Sequence, residues 1–520
     1  MDSRLTPLPN STMAAADSVL FSKPVEVPLP SQYQRLVHLD LKGAPLKMDF
    51  LSKLIVKLKE WGATGLLVEY EDTFPYTGDL TELALPSAYS LADLKVLQQL
   101  ARDNDMEYIP VVQTFGHLEY VLKHNKFVHL REVPEFPTSI CPSKEDSLLL
   151  IQELLDQVIQ AHDGLKYFSI GADEVVHLGC CHKCQHRIET DLGGFGCSLY
   201  LDHVTKVLQY IRKQHPGITC IMWDDMLRTI DPKLMNDVKL GELVEPMVWN
   251  YSDDTTSFRL RFHQGMWENY SQVFKHFWIA TAFKGAFGHT LYWPPSKLHV
   301  QNHLLWLQEL DKTIPKTLTL RGCVLTGWQR YDHLSVLCEL LPTALPCLAL
   351  CLQVLLQGGY SHDVLERVSK QLGFTEPFQI EVPQHTDSLS SEEAFPSSDL
   401  YSAIQDLVIF EASPRFKDFM SQSQLHANMD PNARIATDLP MVHYSVEESA
   451  TEAKSLVGQL EAIRQRARAA LGYVYHTTTK EEWLELRINP ILRALKMFVG
   501  GGSMDEVREE EEDEMELGKS

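Results

Sequence analysis

The chain has 520 residues, 44% of them hydrophobic and 9% aromatic, which suits a folded globular protein with a sizeable core. Its formal charge of -23 argues against general nucleic-acid binding, which needs cationic surface to meet phosphates. The length exceeds one average domain, although a single α/β barrel can use about 250 residues or more.

Residues 1–32 read as a flexible N-terminal segment. Met1 to Pro30 holds five prolines and three acids and no continuous apolar stretch, so no secretory leader is expected. From 33 to 360 short apolar runs alternate with helical periodicity. The expected strands are Arg35–Leu41, Gly65–Tyr70, Tyr108–Gln113, Tyr167–Gly171, Ile218–Trp223, Met247–Tyr251, Phe277–Phe283 and Gly322–Trp328. The expected helices between them include Phe50–Trp61, Leu91–Asp103, Ser147–His162, Ser198–Gln214 and Lys297–Leu310. In the first, Phe50, Leu51, Leu54, Ile55, Leu58 and Trp61 make one apolar face, with Lys53, Lys57 and Lys59 outside it. Strands alternating with helices imply parallel pairing, and eight repeats predict a closed (β/α)8 TIM barrel. An open doubly wound sheet is the alternative, but no GxGxxG follows the first strand.

Leu340–Leu356 is the most apolar stretch. Pro342 and Pro346 interrupt it, and it falls short of the roughly 20 residues a bilayer requires, so a buried helix is expected. Residues 361–400 read as a linker or long loop, being rich in Pro, Ser, Glu and Asp from Thr375 to Ser398. Residues 401–499 form a helical C-terminal region, with helices expected at Leu400–Phe410, Val446–Leu471 and Lys480–Val499. Residues 500–520 read as a disordered acidic tail, nine acids against Arg508 and Lys519. Ten cysteines without an export signal predict reduced thiols and a cytoplasmic protein, with the nucleus as a second compartment.

The fourth strand ends abruptly in Asp173–Glu174. Neighbouring acids perturb one another, because the first to ionise makes the second harder to ionise. A protein can thereby keep one carboxyl protonated as an acid beside an anion. The plain alternative has Asp173 capping the next segment and Glu174 facing water. The other strand ends carry Asp40 and Lys42; Glu69 and Glu71; Gln113 and His117; Trp223, Asp224 and Asp225; Trp249 and Tyr251; Lys284; and Trp328, Arg330 and Tyr331. In a TIM barrel these ends converge on one mouth, where chemistry is sited. Within His177–His186, Cys181 and Cys184 have CxxC spacing, but no second CxxC supplies four ligands. A loop of reduced thiols is expected there, with no metal and no cofactor.

Six blocks in order carry a resemblance to a known family: His38–Pro45, Leu67–Asp72, Val112–His117, Gly171–Val175, Met222–Met226 and Leu325–His333. Across residues 33 to 360 the chain resembles glycoside hydrolase family 20, the β-N-acetylhexosaminidases, and within it the intracellular branch. The resemblance implies retaining, substrate-assisted catalysis. Glu174 would be the acid, with a raised pKa, protonating the glycosidic oxygen and later deprotonating water. Asp173 would orient the 2-acetamido group, whose carbonyl oxygen attacks the anomeric carbon to give an oxazolinium intermediate. Because adjacent strand residues face opposite ways, the backbone must turn after Asp173. Trp223, Trp249 and Trp328 would wall the acetamido pocket, and Tyr251 would donate to the acetamido oxygen. His117 and Gln113 would order the site or touch sugar hydroxyls. Asp40, Glu71 and Asp224 would bind hydroxyls or serve structure. Secreted members commonly carry Arg after the first-strand Asp, where this chain has Lys42–Gly43, so gluco versus galacto preference stays open. The implied partners are N-acetylhexosamine-terminated glycoconjugates, with no nucleic acid and no membrane; the oligomeric state is open, a homodimer included. Competing readings are a non-catalytic glycan- or protein-binding barrel and, further off, a zinc-dependent hydrolase.

Overall fold

The computed structural model describes residues 33–391, 393–427 and 440–500, and the chain divides into two units after Ile380. In the first unit eight strands follow the expected order: β1 (Gln34–Asp40), β2 (Gly65–Glu69), β3 (Glu107–Val111), β4 (Tyr167–Ser169), β5 (Thr219–Trp223), β6 (Val244–Trp249), β7 (His276–Lys284) and β8 (Thr319–Gly327). Each pairs in parallel with its sequence neighbours, and β8 pairs with β1, so the sheet is a closed barrel rather than an open one. Closure removes the free edges that an open sheet exposes.

The strand period of two puts every second residue inside the barrel, and along these inward faces apolar residues give way to polar ones. Leu36, Leu67, Ile109, Ile221, Met247, Trp278 and Val324 belong to one buried cluster. Further along the same faces come His38 and Asp40 on β1, Glu69 on β2 and Gln113 beyond β3. All four are buried, and His38 Nε2 lies 3.2 Å from Glu69 Oε2. A polar layer therefore sits at the C-terminal mouth on an apolar floor.

The helices Met48–Trp61, Leu91–Asp103, Glu145–Gln160, Gly196–Gln214 and Ser296–Lys312 lie within two residues of their expected bounds. The first buries all six residues of its predicted face, each apolar side chain contributing about 1.5–3 kcal/mol. Its stop is Gly62, at φ +107°, where a Cβ would lie 2.3 Å from Leu356 Cδ1. Ser90 and Asp93 form a reciprocal capping box at the start of the second. Leu341–Gln357 is a helix buried nearly all round, packed against Ser296–Lys312 and β7. Among the described residues no helix is long and apolar enough to cross a membrane.

The stretch read as a linker from 361 holds a helix, His362–Gln371, started by Ser361 and buried through Val364, Leu365 and Val368. It packs on Leu341–Gln357, inside the first unit. In the second unit Ser398–Ala412, Pro414–Ala427, Pro440–Val474, Thr477–Arg487 and Asn489–Gly500 are helical. The single helix expected over Lys480–Val499 is two, because Pro490 has no N–H to continue the ladder and sits instead in a new first turn. The readings for 1–32 and 501–520 lie outside the described residues.

Candidate active site

Beyond β4 the chain leaves the sheet through a left-handed turn. Gly171, Ala172 and Glu174 have φ of +62°, +67° and +42°, so the backbone does turn on both sides of Asp173. A Cβ at Gly171 would meet Gln113 Oε1 at 2.0 Å, which leaves room for glycine alone. Ala172, Glu174 and, opposite them, His117 at φ +52° hold this conformation with side chains, at about 1–3 kcal/mol each. Three hydrogen bonds fix the turn. Ala172 N–H donates to Gln113 Oε1 (3.2 Å), Tyr200 O–H donates to Ala172 O (2.7 Å), and Glu174 N–H donates to Asp225 Oδ2 (2.9 Å).

The result is a cavity of about 210 Å³ at the barrel mouth, lined from every strand end except that of β2. Of the residues read from the sequence, Asp173, Glu174, His117, Gln113, Trp223, Trp249, Trp328 and Tyr251 line it together. Trp223 and Trp328 lie 5.8 Å apart between ring centroids, and Trp249 and Tyr251 5.2 Å. Trp328 Nε1 donates to the Tyr251 hydroxyl oxygen at 3.2 Å, and the Thr326 hydroxyl is a second side-chain partner of Tyr251. Burial pushes the Tyr251 phenol up, so it stays protonated.

Asp40, Glu71 and Asp224 stand behind the wall instead. Asp40 accepts from Gln329 N–H at 2.7 Å and pairs with Lys42 Nζ at 3.0 Å. Glu71 lies 2.7 Å from His333 Nδ1. Asp224 is fully occupied: Arg228 donates to both its oxygens at 2.7 and 2.8 Å, and Tyr270 adds 3.0 Å.

The two acids differ sharply in surroundings. The Asp173 side chain is 10% exposed, while that of Glu174 is 52% exposed. Burial raises the Asp173 carboxyl to about 7, with Asp225, Glu69 and Glu174 adding to it and His117 opposing. The hydrogen bond from His117 holds Glu174 below its ordinary value. Burial disfavours a charged His117, yet Asp173 and Glu174 outweigh it and raise the imidazole to about 10. His117 Nε2 lies 3.5 Å from Asp173 Oδ2 and 3.4 Å from Glu174 Oε2. The sequence reading has Glu174 as the carboxyl with the raised pKa; in the free site Asp173 is the raised one, because His117 sits on the exposed partner. Asp173 Oδ1 is buried and, among the described residues, accepts no hydrogen bond.

Lys42, Arg261, Gly285, Ala286 and Tyr331 also line the cavity and were absent from the sequence-derived site. Lys42 and Tyr331 stand among the strand-end groups, so a signal existed. Arg261 follows the short helix Thr255–Leu260 and carries none; it lies 5.1 Å over the Trp249 ring. Asp225, quoted in the sequence but given no role, ties Glu174 N–H to Trp249 Nε1 (3.2 Å). The expected thiol loop is partly a helix, His182–Thr190, with Cys181 as its cap. Cys181 and Cys184 do not line the cavity. All ten cysteines are free thiols.

Residues 53–266 match glycosyl hydrolase family 20, catalytic domain. Hexosaminidase D of Homo sapiens is 38% identical over 470 residues, 89% of this chain and 93% of the relative. Hexosaminidase D of Bos taurus is 44% identical over 342 residues, 66% of this chain and 97% of the relative. Among solved structures, the Flavobacterium johnsoniae chitobiase is 14% identical with a TM-score of 0.49, covering 90% of this chain and 71% of that one.

Proposed function

This chain belongs to glycosyl hydrolase family 20 and is a glycoside hydrolase of the β-N-acetylhexosaminidase kind, and we propose that it removes terminal non-reducing β-linked GlcNAc or GalNAc with net retention. The acetamido carbonyl oxygen of the substrate attacks C1 as the C1–O bond to the leaving group breaks. Glu174 gives its proton to the departing oxygen. The resulting oxazolinium is opened at C1 by water, whose proton Glu174 takes back.

The observation that carries this reading is the buried Asp173 Oδ1, which accepts no hydrogen bond among the described residues and belongs to the same cavity wall as the Tyr251 hydroxyl. A carboxylate acceptor and a hydroxyl donor suit the N–H and C=O of one acetamido group. As positive charge grows on that group, an anionic Asp173 stabilises it more than it stabilises the ground state. Trp223, Trp249 and Trp328 supply apolar faces for the methyl group and the sugar C–H surface. The cavity is below the roughly 300–1,000 Å³ of drug-sized sites, which favours one sugar ring over a chain of them.

His117 accounts for the proton. In the free site it holds the proton that Glu174 needs, 3.4 Å away. A sugar covering Glu174 removes water from its carboxylate, which raises its affinity for a proton and draws that proton across. Lys42, held between Asp40 and Glu71, presents an ammonium to the ring hydroxyls where secreted members use Arg.

Release of chromophore from aryl β-N-acetylglucosaminide and galactosaminide tests the assignment. Glu174→Gln is expected to lower turnover by about 10²–10⁴-fold. An aryl β-glucoside, which lacks the acetamido group, is expected to remain intact. Equal turnover by Glu174→Gln removes it as the acid, and rapid glucoside hydrolysis removes substrate assistance.

A further inference from the structure

We propose that Glu132, Cys141, Cys181 and Cys184 hold a structural zinc ion. The sequence offered only the CxxC pair; folding adds Cys141 and Glu132, and all four donor atoms lie within 4.8 Å of one another. Cys141 Sγ is 3.5 Å from both Cys181 Sγ and Cys184 Sγ, and Cys184 Sγ is 3.3 Å from Glu132 Oε2. A tetrahedral zinc with Zn–S bonds of about 2.3 Å spaces its sulfurs about 3.8 Å apart. The two Cys141 edges are thus within a few tenths of an ångström of that spacing, and no edge exceeds 4.8 Å.

An independent observation points to a cation. Glu132 is 1% exposed, and its carboxyl oxygens meet Cys181 N–H at 2.8 Å and the thiols of Cys184 and Cys141. Among the described residues no basic side chain pairs with it, and a buried carboxylate without a counter-charge is costly. The local backbone suits thiolate ligands as well. Cys184 N–H donates to Cys181 Sγ at 3.4 Å, and Cys181 caps the helix His182–Thr190, so the backbone holds the two sulfurs on one side of the turn. Three sulfurs and a carboxylate select zinc over calcium or magnesium.

The ion would join two loops that carry the chemistry without touching it, since none of the four residues lines the cavity. Glu132 belongs to the hairpin Arg131–Val133/Phe136–Ile140, whose Thr138 O and Ile140 N–H bond Leu118 and Phe115 on either side of His117. Cys181 and Cys184 end the loop that begins at Glu174. This role is independent of the substrate reading above.

The zinc content of the full chain, purified under reducing conditions without added metal, is measured by elemental mass spectrometry. About one zinc per chain is expected, falling to background in Cys141→Ser and Cys184→Ser. A His182→Ala/His186→Ala chain is expected to keep it, although those exposed stacked rings offer an adventitious site. Should the serine variants fail to fold, the native chain decides alone. Zinc that shields Cys141, Cys181 and Cys184 from alkylation until a chelator is added supports the site. A metal-free native chain whose three thiols alkylate freely, or whose thiols are lost to a disulfide, overturns it, as does zinc that follows the histidine pair.

Discussion

At Asp225 one carboxylate serves the site twice, as acceptor for Glu174 N–H and Trp249 Nε1 and as a negative charge beside Asp173. The second effect is read in the pH profile, not in the rate alone, because an amide at 225 keeps only one of the two acceptor oxygens. Asp173 must be an anion to stabilise a positively charged acetamido group, and its carboxyl is raised to about 7. Activity is therefore expected to fall as pH drops below about 7, where Asp173 gains its proton. Asp225→Asn removes a repelling charge and makes Asp173 easier to ionise, so the acid limb of kcat/KM moves to lower pH. An unmoved limb in a pH–rate profile would assign that limb to another group. The sequence displayed the Asp173–Glu174 pair but not which member is harder to ionise. That difference comes from burial and from His117, which arrives from the end of β3, 56 residues earlier in the chain.

The turn that leaves β4 is built to a tolerance that one methyl group exceeds. Gly171→Ala puts a Cβ 2.0 Å from Gln113 Oε1 and is expected to abolish most turnover while costing at least about 1–3 kcal/mol in urea unfolding. Gly78→Ala is the matched control: its φ is +60°, but nothing lies within 4 Å of the added carbon, so activity is expected to stay native. If both variants behave alike, backbone strain alone matters and the contact with Gln113 does not. Elements of this kind differ in how far the sequence displays them. All eight strands and five long helices were legible, because their apolar spacing is set by one buried face. The hairpin Arg131–Ile140 and the helices Thr255–Leu260 and His182–Thr190 were not, being too short for a period to repeat. His362–Gln371 was legible in principle: Val364, Leu365 and Val368 have helical spacing, obscured by the polar composition that follows.

The whole cavity belongs to the first unit; its last lining residue is Tyr331. The bovine relative, 97% of which aligns to 66% of this chain, is of about that unit's size. A chain ending at Ile380 is accordingly expected to hydrolyse the aryl N-acetylglycosides with kcat/KM close to that of the full chain. Ile380 is the proper end because its carbonyl accepts from Lys297 N–H at the start of Ser296–Lys312. A truncated chain with native near-UV dichroism but no turnover would assign the second unit a part in catalysis. What composition and periodicity displayed at this scale was the eightfold alternation and hence the barrel. They did not display the boundary, which depends on which helix packs against which.

Barrel closure also has a consequence in time. Asp40 at the end of β1 accepts from Gln329 N–H just beyond β8, and 289 residues separate them. At about 5–20 residues per second a ribosome makes that interval in roughly 15–60 s. Until then β1 has no β8 to pair with, and the cavity lacks Trp328 and Tyr331. The nascent chain must therefore carry its acid pair, complete in covalent terms, on an open sheet with two bare edges, which is the interval in which a chaperone has most to protect.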